Sequence, residues 1–362
     1  MIKKLKVKNY KSLKDVELEL GKFNVLIGPN ASGKSNLLDC LAFVSELTED
    51  NVYKALEVRG GYERVVFGGG KEKIEISFEF VLDTKASEFF ISLSERGVVE
   101  EKLSIEGEMI IEHHPGKVAI MLVSTPSGTE HVKREIGTWD STIKEHPEIR
   151  DYLTAWRSYN FMTSQMRRKD PAKRNLILAK TGSNLAQVLL SLHNERPKIF
   201  ARIEDILTQA IPQIDELLTP LTESSDLYSE TYVAVREKGF DSPFNYFQVS
   251  DGTLKLLAYI TAIAIEEANV VCFEEPENFI HPRLFELLVE VLKKSDKQIL
   301  LSTHSPYLVD FVEPEDVIIV EKKDKETVMS RIKDGAKLKA RLAELGLALG
   351  EYWYGGGLGG NP

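Results

Sequence analysis

The run Gly28-Pro29-Asn30-Ala31-Ser32-Gly33-Lys34-Ser35 constrains the fold more than any other feature of this chain. It matches the phosphate-binding pattern G-x-x-x-x-G-K-[ST]. Phosphate oxygens crowd such a loop, so glycines let the backbone approach, and successive N–H groups then point at the anion. The flanks agree. Phe23 to Ile27 reads as an apolar strand, and Leu37, Leu38, Leu41, Ala42, Val44 and Leu47 recur at helical spacing after the loop. With Gly at about 7% of residues, the pattern arises by chance in about one chain in a hundred of this length. The backbone from Gly28, Asn30, Ala31, Ser32 and Gly33 to Asn36 is thus the expected phosphate cradle. Lys34 would reach the β- and γ-phosphates, and Ser35 would offer a hydroxyl to Mg²⁺.

Patterning along the rest of the chain supports an α/β fold. Ile2 to Asn9 and Val16 to Leu20 read as strands. Between about residues 60 and 137 period-two alternation predicts a mostly antiparallel sheet, as in KIEISFEFVLD. From about 147 to 218 the spacing predicts helices, including the stretch YLTAWRSYNFM, with a basic interruption, MRRKDPAKR. After Glu230 strands and helices alternate, which implies a parallel sheet. The expected organisation is a lobe with the phosphate loop and the antiparallel strands over 1–145, a helical insertion over 146–228, a second lobe over 229–340 and a Gly-rich tail over 341–362. Gly355 to Gly360 reads as a flexible tail, with docking on the head or a partner as the alternative. No heptad is sustained, so a long coiled coil is not expected.

Three further segments carry chemistry. Val270 to Phe273 is an apolar strand that ends in Glu274 and Glu275. In a phosphate-loop fold this is where a metal-water ligand (Glu274) and a base for the attacking water (Glu275) belong, against an acidic helix cap as the plainer reading. Ser302-Thr303-His304-Ser305-Pro306 ends another apolar strand, and its histidine can bond a terminal phosphate. Ser250-Asp251-Gly252-Thr253 opens a long helix. Ser250 suits a helix cap, and the same exposed N–H groups with Ser250 and Gly252 suit a phosphate held by a second subunit. Arg167, Arg168 and Lys169, with Lys173 and Arg174, form the basic stretch best suited to nucleic acid, unless it is a solvated loop. Trp156, Tyr159 and Phe161 lie nearby and suit a core better than base stacking.

Composition narrows the class. There are 46 Lys and Arg against 56 Asp and Glu, a formal net charge of −10 over 362 residues, which argues against a surface coated in positive charge. Only Cys40 and Cys272 are present, too few for a disulfide framework, so a reducing cytoplasm is expected. No apolar run approaches the roughly 18 residues of a membrane span. Leu254 to Ile265 is too short and contains Lys255. The basic start MIKKLK lacks the apolar region of a signal peptide.

Together the opening IKKLKVKNYKSLKDVELELGKFNVLIGPNASGKSNLLD, SDGT, EEPENFIHP and STHSP resemble the ATP-binding cassette heads of the RecF/SMC type. GSNLAQVL, SDGTLKLLA, THSPYL and LGEYWYGGGLGG resemble stand-alone AAA-21 or OLD-like ATPases. The resemblance implies a P-loop NTPase fold with a mixed central sheet, an antiparallel β-subdomain and a helical insertion. It implies ATP and Mg²⁺ as ligands and an ATP-dependent homodimer. Glu275 is then the base, His304 the switch histidine, Ser250 to Thr253 the signature acting in trans, and Asn278 to His281 a D-loop crossing the dimer. Lys11 and Ser12 take a nucleotide-contacting position. Three departures stand out: Glu274 replaces the usual aspartate, the Q-loop glutamine is missing unless Gln165 substitutes for it, and coiled-coil arms are absent. The resemblance leaves open DNA repair, phage defence, DNA or other nucleic acid as ligand, and a separate nuclease or other effector as partner. From the length of the segment after His304 no Toprim nuclease domain of the OLD type is expected there, and the long interval from Gly28 to Ser250 does not fit a transporter subunit.

Overall fold

The computed structural model describes residues 1–114, 119–125, 128–134, 136–223, 229–265 and 267–359, with backbone alone for 119–125 and 128–134. Two sheets dominate. The first is antiparallel and eight-stranded: β1 (Ile2–Tyr10), β2 (Leu13–Glu19), β4 (Ile74–Leu82), β5 (Lys85–Ser94), β6 (Gly97–Ile105), β7 (Glu108–His113), β8 (Ala119–Thr125) and β9 (Gly128–Arg134), in the order β2-β1-β4-β5-β6-β7-β8-β9. The second is the central sheet. It contains β3 (Phe23–Ile27), β10 (Trp156–Tyr159), β11 (Val270–Glu274), β12 (Gln298–Thr303), β13 (Val317–Lys323) and β14 (Glu326–Arg331), in the order β10-β11-β12-β3-β13-β14. The first five are parallel, and β14 returns antiparallel beside β13. The sheet is therefore mixed, as the family resemblance implied.

Alternation along the central strands sorts their side chains onto two cores. Val270, Cys272, Leu26, Leu300 and Ile318 pack with the antiparallel sheet and with α1 (Lys34–Glu49). Val271, Phe273, Val25, Ile299 and Leu301 pack with α2 (Leu185–Glu195), α3 (Pro197–Ala210), α4 (Asp251–Ala264) and α5 (Phe285–Lys294). Strands buried on both faces are the mark of a parallel sheet covered by helices.

Residues 155–162 depart from the helix expected there. The helix Pro147–Thr154 stops, and Trp156–Tyr159 forms β10 at the sheet edge, paired in parallel with β11. Trp156 and Tyr159 are the buried residues of this strand and lie three apart, which mimics helical spacing. Aromatic contacts hold the strand: Trp156 against Phe78 and Tyr152, Tyr159 against Phe161 and Phe273. The segment expected as a helical insertion also contains strands Ile214–Leu218 and Leu221–Glu223, and its helices α2 and α3 share one apolar cluster with the central sheet. Near the end of the chain, α6 (Pro306–Val309) packs against α7 (Leu349–Tyr354). Trp353 is fully buried, and Gly350 N–H donates to Asp310 Oδ1 at 2.8 Å. The segment around Trp353 is therefore docked on the head; the expectation for Gly360 lies outside the described residues.

Candidate functional site

The carboxyl ends of β3, β11 and β12 lie side by side, with Glu274 opposite Ser302 and Thr303 opposite Ile27. A crevice at the carboxyl ends of parallel strands is where such sheets take ligands. The phosphate loop leaves β3 and enters α1 through Gly33, whose φ of +112° favours glycine. A side chain at Gly33 would collide with Thr327. Thr327 is buried on β14, donates to Ser32 O at 2.8 Å and bonds Ser12 Oγ at 2.6 Å. Asn36 Nδ2 also donates to Ser12 Oγ, at 2.7 Å. Ser12 and Asn36 thus brace the loop from within the protein, together with Thr327, whose local sequence carries no signal for this role.

Lys34 is buried and lies back across its own loop, donating to the carbonyls of Gly28 at 2.6 Å and Pro29 at 3.0 Å. Burial lowers its proton affinity, and Glu275 and Glu277 oppose the shift. Asn30, Ala31 and Ser35 are exposed at the mouth, and Ala31 has a φ of +62°. The hydroxyl of Ser32 is buried with no partner. A buried ammonium on neutral carbonyls and an orphaned hydroxyl are what a phosphate-binding loop presents to an anion.

Lys11, at a φ of +51°, pairs with Asp39 of α1 at 2.5 Å. Arg59 and the Tyr10 hydroxyl bind the same carboxylate. Although burial pushes Asp39 upward, Arg59, Lys11 and Tyr10 hold its carboxyl below the usual range. Lys11 is thus engaged in an ion pair one turn along α1 from Ser35.

Glu274 is raised in pKa by burial, with Glu275 and Asp39 adding to the shift and Lys180 and Lys11 opposing it. Its Oε2 lies 3.4 Å from the amide nitrogen of Asn160, the residue that follows β10. Gln165 is elsewhere: it is exposed, accepts from Thr181 Oγ1 at 2.6 Å and lies 3.5 Å from Met162 Sδ. The amide beside the metal-ligand candidate is therefore Asn160, reachable only once Trp156–Tyr159 is known to be a strand.

Glu275 has a φ of +43°, a strained backbone for a residue with a side chain. Its N–H donates to Ser302 O at 2.9 Å, and Asn278 Nδ2 donates to its Oε2 at 3.0 Å. Its Oε1 lies 3.6 Å from Nδ1 of His304, and both side chains are a little over one-third exposed. Asn278 thus orients the candidate base within its own chain. His281 is exposed and its Nδ1 accepts from the N–H of Arg283.

Ser250 caps α4: its hydroxyl accepts from the N–H of Thr253 at 3.1 Å and bonds Thr253 Oγ1 at 2.8 Å. Gly252 has a packing role as well, since a Cβ there would lie 2.8 Å from the carbonyl oxygen of Phe279. The basic stretch next to this segment is largely paired. Arg167 donates to Asp251 Oδ1 and to the carbonyls of Tyr246, Phe247 and Val249. Arg168 pairs with Asp170, Lys169 with Glu230 and Arg174 with Glu195. Arg167 therefore fastens the turn before α4 instead of presenting its guanidinium to solvent. Its five donated bonds depend on contacts far along the chain, which its neighbours in sequence do not announce.

These residues suit a nucleotide with Mg²⁺. Ser35 and Glu274 are the residues that would offer oxygen atoms to the metal. Among the described residues no group of three or more His, Cys, Asp or Glu side chains forms a metal site. A magnesium ion here would take its remaining ligands from phosphate and water, as Mg²⁺ usually does.

Comparison with known proteins agrees with this geometry. Residues 23–310 match the family AAA_21, described as "AAA domain, putative AbiEii toxin, Type IV TA system". An OLD nuclease of Thermus scotoductus is 24% identical over 93% of this chain and 65% of its own length, so the chain spans just under two-thirds of that relative. An ATP/GTP phosphatase of Helicobacter pylori is 21% identical over 89% of each chain. Among solved structures, an SMC head bound to the C-terminal winged-helix domain of ScpA superposes with a TM-score of 0.60 at 16% identity, covering 93% of this chain and 99% of that one. Among the described residues, no helix is long and apolar enough to cross a membrane. The chain belongs to the AAA_21 family and has the fold of an SMC/RecF-type ATPase head related to the OLD proteins.

Proposed function

We propose that this chain hydrolyses ATP and, in the cytosol, closes as a homodimer around two nucleotides, each held between the phosphate loop of one subunit and Ser250 to Thr253 of the other. The observation that carries the reading is the meeting of Lys34, Glu275 and His304 at the ends of three parallel strands. Lys34 and the loop amides hold the β- and γ-phosphates. Ser35 and, through water, Glu274 hold the metal. Mg²⁺, when bound, offsets charge on the phosphate oxygens. Glu275, oriented by Asn278, accepts the proton of the attacking water as the bond from the γ-phosphorus to ADP breaks. His304 stands beside Glu275, where it bonds the γ-phosphate and registers its departure.

Hydrolysis would then open the dimer, because the γ-phosphate bridges the two subunits only while it is attached. Glu275→Gln keeps the shape of the site and removes the base. ATP turnover should fall at least about 100-fold. With ATP and Mg²⁺ the variant should double its mass in light scattering. Turnover equal to that of the unmodified chain would refute Glu275 as base, and an unchanged mass would refute the clamp.

A second reading is a slow ATP-binding subunit that gates a separate nuclease or other effector. It is favoured by Glu274, whose environment resists the charge that metal binding needs. The likeness to an OLD nuclease supports the same idea. Nucleic acid as the object of the clamp, in DNA maintenance or phage defence, belongs to this proposal too. Of the basic stretch, Lys173 and Arg174 are the residues to neutralise in a salt-titrated DNA-binding assay, because phosphate contacts weaken steeply with salt.

A further inference from the structure

Glu277 takes no part in the chemistry above, yet it is buried directly behind it, 8% exposed. Its Oε1 accepts from Thr303 Oγ1 at 2.7 Å and from the N–H of His304 at 3.0 Å. The ring nitrogen Nδ1 of His304 lies 3.4 Å from the same oxygen. The other oxygen, Oε2, is enclosed with no hydrogen-bond partner. A buried carboxylate with half of its capacity unspent is costly unless a charge answers it.

Two buried groups on α4 feel this charge without bonding it. Lys255 is buried, and its ammonium lies 5.3 Å from the centre of the Phe279 ring. Tyr259, one turn further along the same face, is fully buried, and its hydroxyl has no partner either. Burial lowers the proton affinity of Lys255 and raises that of Tyr259, and the charge of Glu277 acts on both. Glu277 thus bonds the strand end that bears the histidine, while Phe279, two residues on, lies against Lys255 and Gly252 of the helix that Ser250 opens.

We propose that Glu277 is a positioning residue that seats His304 and ties it, through Lys255 and Tyr259, to α4. A shift of α4 changes the field at Oε2, and the carboxylate carries that change to His304 through Oε1. Buried polar networks of this kind are costly to leave half-satisfied, so they move as units. The place of the histidine then follows the state of the helix that would face a second nucleotide. This inference rests on the ATPase reading above.

The test compares Glu277→Ala, Glu277→Gln, Lys255→Met and the double variant Glu277→Gln/Lys255→Met in the full chain. Glu277→Ala should lower kcat about 10- to 100-fold, the range for residues that orient a working group from behind. KM for ATP, and the affinity of a fluorescent ATP analogue, should stay within about threefold. Glu277→Gln keeps an acceptor for Thr303 and His304 and loses only the charge, so it should fall between Glu277→Ala and the unmodified chain. The double variant should lose no more than the worse of its two single variants, as expected for groups that act together. Wild-type kcat in Glu277→Ala would overturn the proposal. So would additive losses in the double variant, or a parallel fall of kcat, nucleotide affinity and melting temperature, which a merely structural role would give. Absence of turnover in the unmodified chain would refute the ATPase reading and this inference with it. That failure is distinguishable, because it shows before any substitution is made.

Discussion

Glu274 is held among Glu275, Asp39, Lys180 and Lys11, and burial makes its charge harder to bear. Its pKa is raised in the folded chain, so in the absence of metal its contribution to stability is present at low pH and is lost as pH rises through the folded value. Metal binding needs the opposite, the anion. The Mg²⁺ concentration for half-maximal turnover should therefore rise as pH falls, with protonation setting in above the usual carboxylate value of about 4.3. Glu274→Gln should abolish that dependence along with most turnover, which a magnesium titration at several pH values will check. Arg167 offers a second test at this scale. Its fork spans Asp251 and three backbone carbonyls, a geometry that lysine cannot copy. Arg167→Ala and Arg167→Lys should each keep the affinity for an ATP analogue and lose ATP-driven dimerisation, since they loosen only the turn before α4. A native gel or light scattering with ATP will decide this, and dimers of unchanged stability would contradict the assignment.

At the scale of elements, local signals were readable and distant ones were not. The phosphate loop was legible because its glycines answer to a purely local demand: Gly33 must adopt a φ that disfavours other residues. Glu275 and His304 were legible because each ends a short apolar strand that is buried on both faces. β10 was hidden because its two buried residues, Trp156 and Tyr159, keep helical spacing, and only pairing with β11, far along the chain, makes them a strand. Asn160 was hidden with it. Thr327 and Glu277 act through contacts with residues hundreds or tens of positions away, and no periodicity reports such contacts. The final helix, α7, is a further case. The glycines that follow it, Gly355 to Gly360, read as a loose tail, and nothing local announces that α7 itself is docked: Gly350 is packed so closely on the carbonyl of Pro306 that a side chain would collide there. Trp353 beside it is fully enclosed. Trp353→Ala should cost about 3–5 kcal/mol by denaturant unfolding, the range for a fully buried large aromatic. It should also lower turnover, because α7 packs on α6, which starts two residues after His304. A loss under about 1 kcal/mol would mean that the docking seen here contributes little.

At the scale of the whole molecule, four aromatic side chains stand out from the head: Tyr354 of α7 at 68% exposure, and Phe247 at 70%, Phe279 at 68% and Tyr307 at 67%. Each of the last three belongs to a segment already tied to the site. Phe247 lies in the turn that Arg167 fastens before α4, Phe279 follows Asn278, and Tyr307 follows the strand end that bears His304. Scattered exposed aromatics need no explanation, but three on the segments that the clamp would bring to a second subunit do. Large aromatics are the residues that most often carry the energy of a protein interface. If they are contacts between two copies, Phe279→Ala should weaken the ATP-bound dimer of Glu275→Gln about tenfold, close to 1.4 kcal/mol. It should leave the affinity of a single chain for the ATP analogue unchanged, because Phe279 bonds no residue of the phosphate loop. Phe279 is the sharpest of the three to test. Its φ of +70° is a strained backbone for a residue with a side chain, and its carbonyl lies close against Gly252 of α4. A dimer as tight in Phe279→Ala as before, measured by sedimentation across a concentration series, would move the interface to another face of the head and leave the strain at this residue without a functional account.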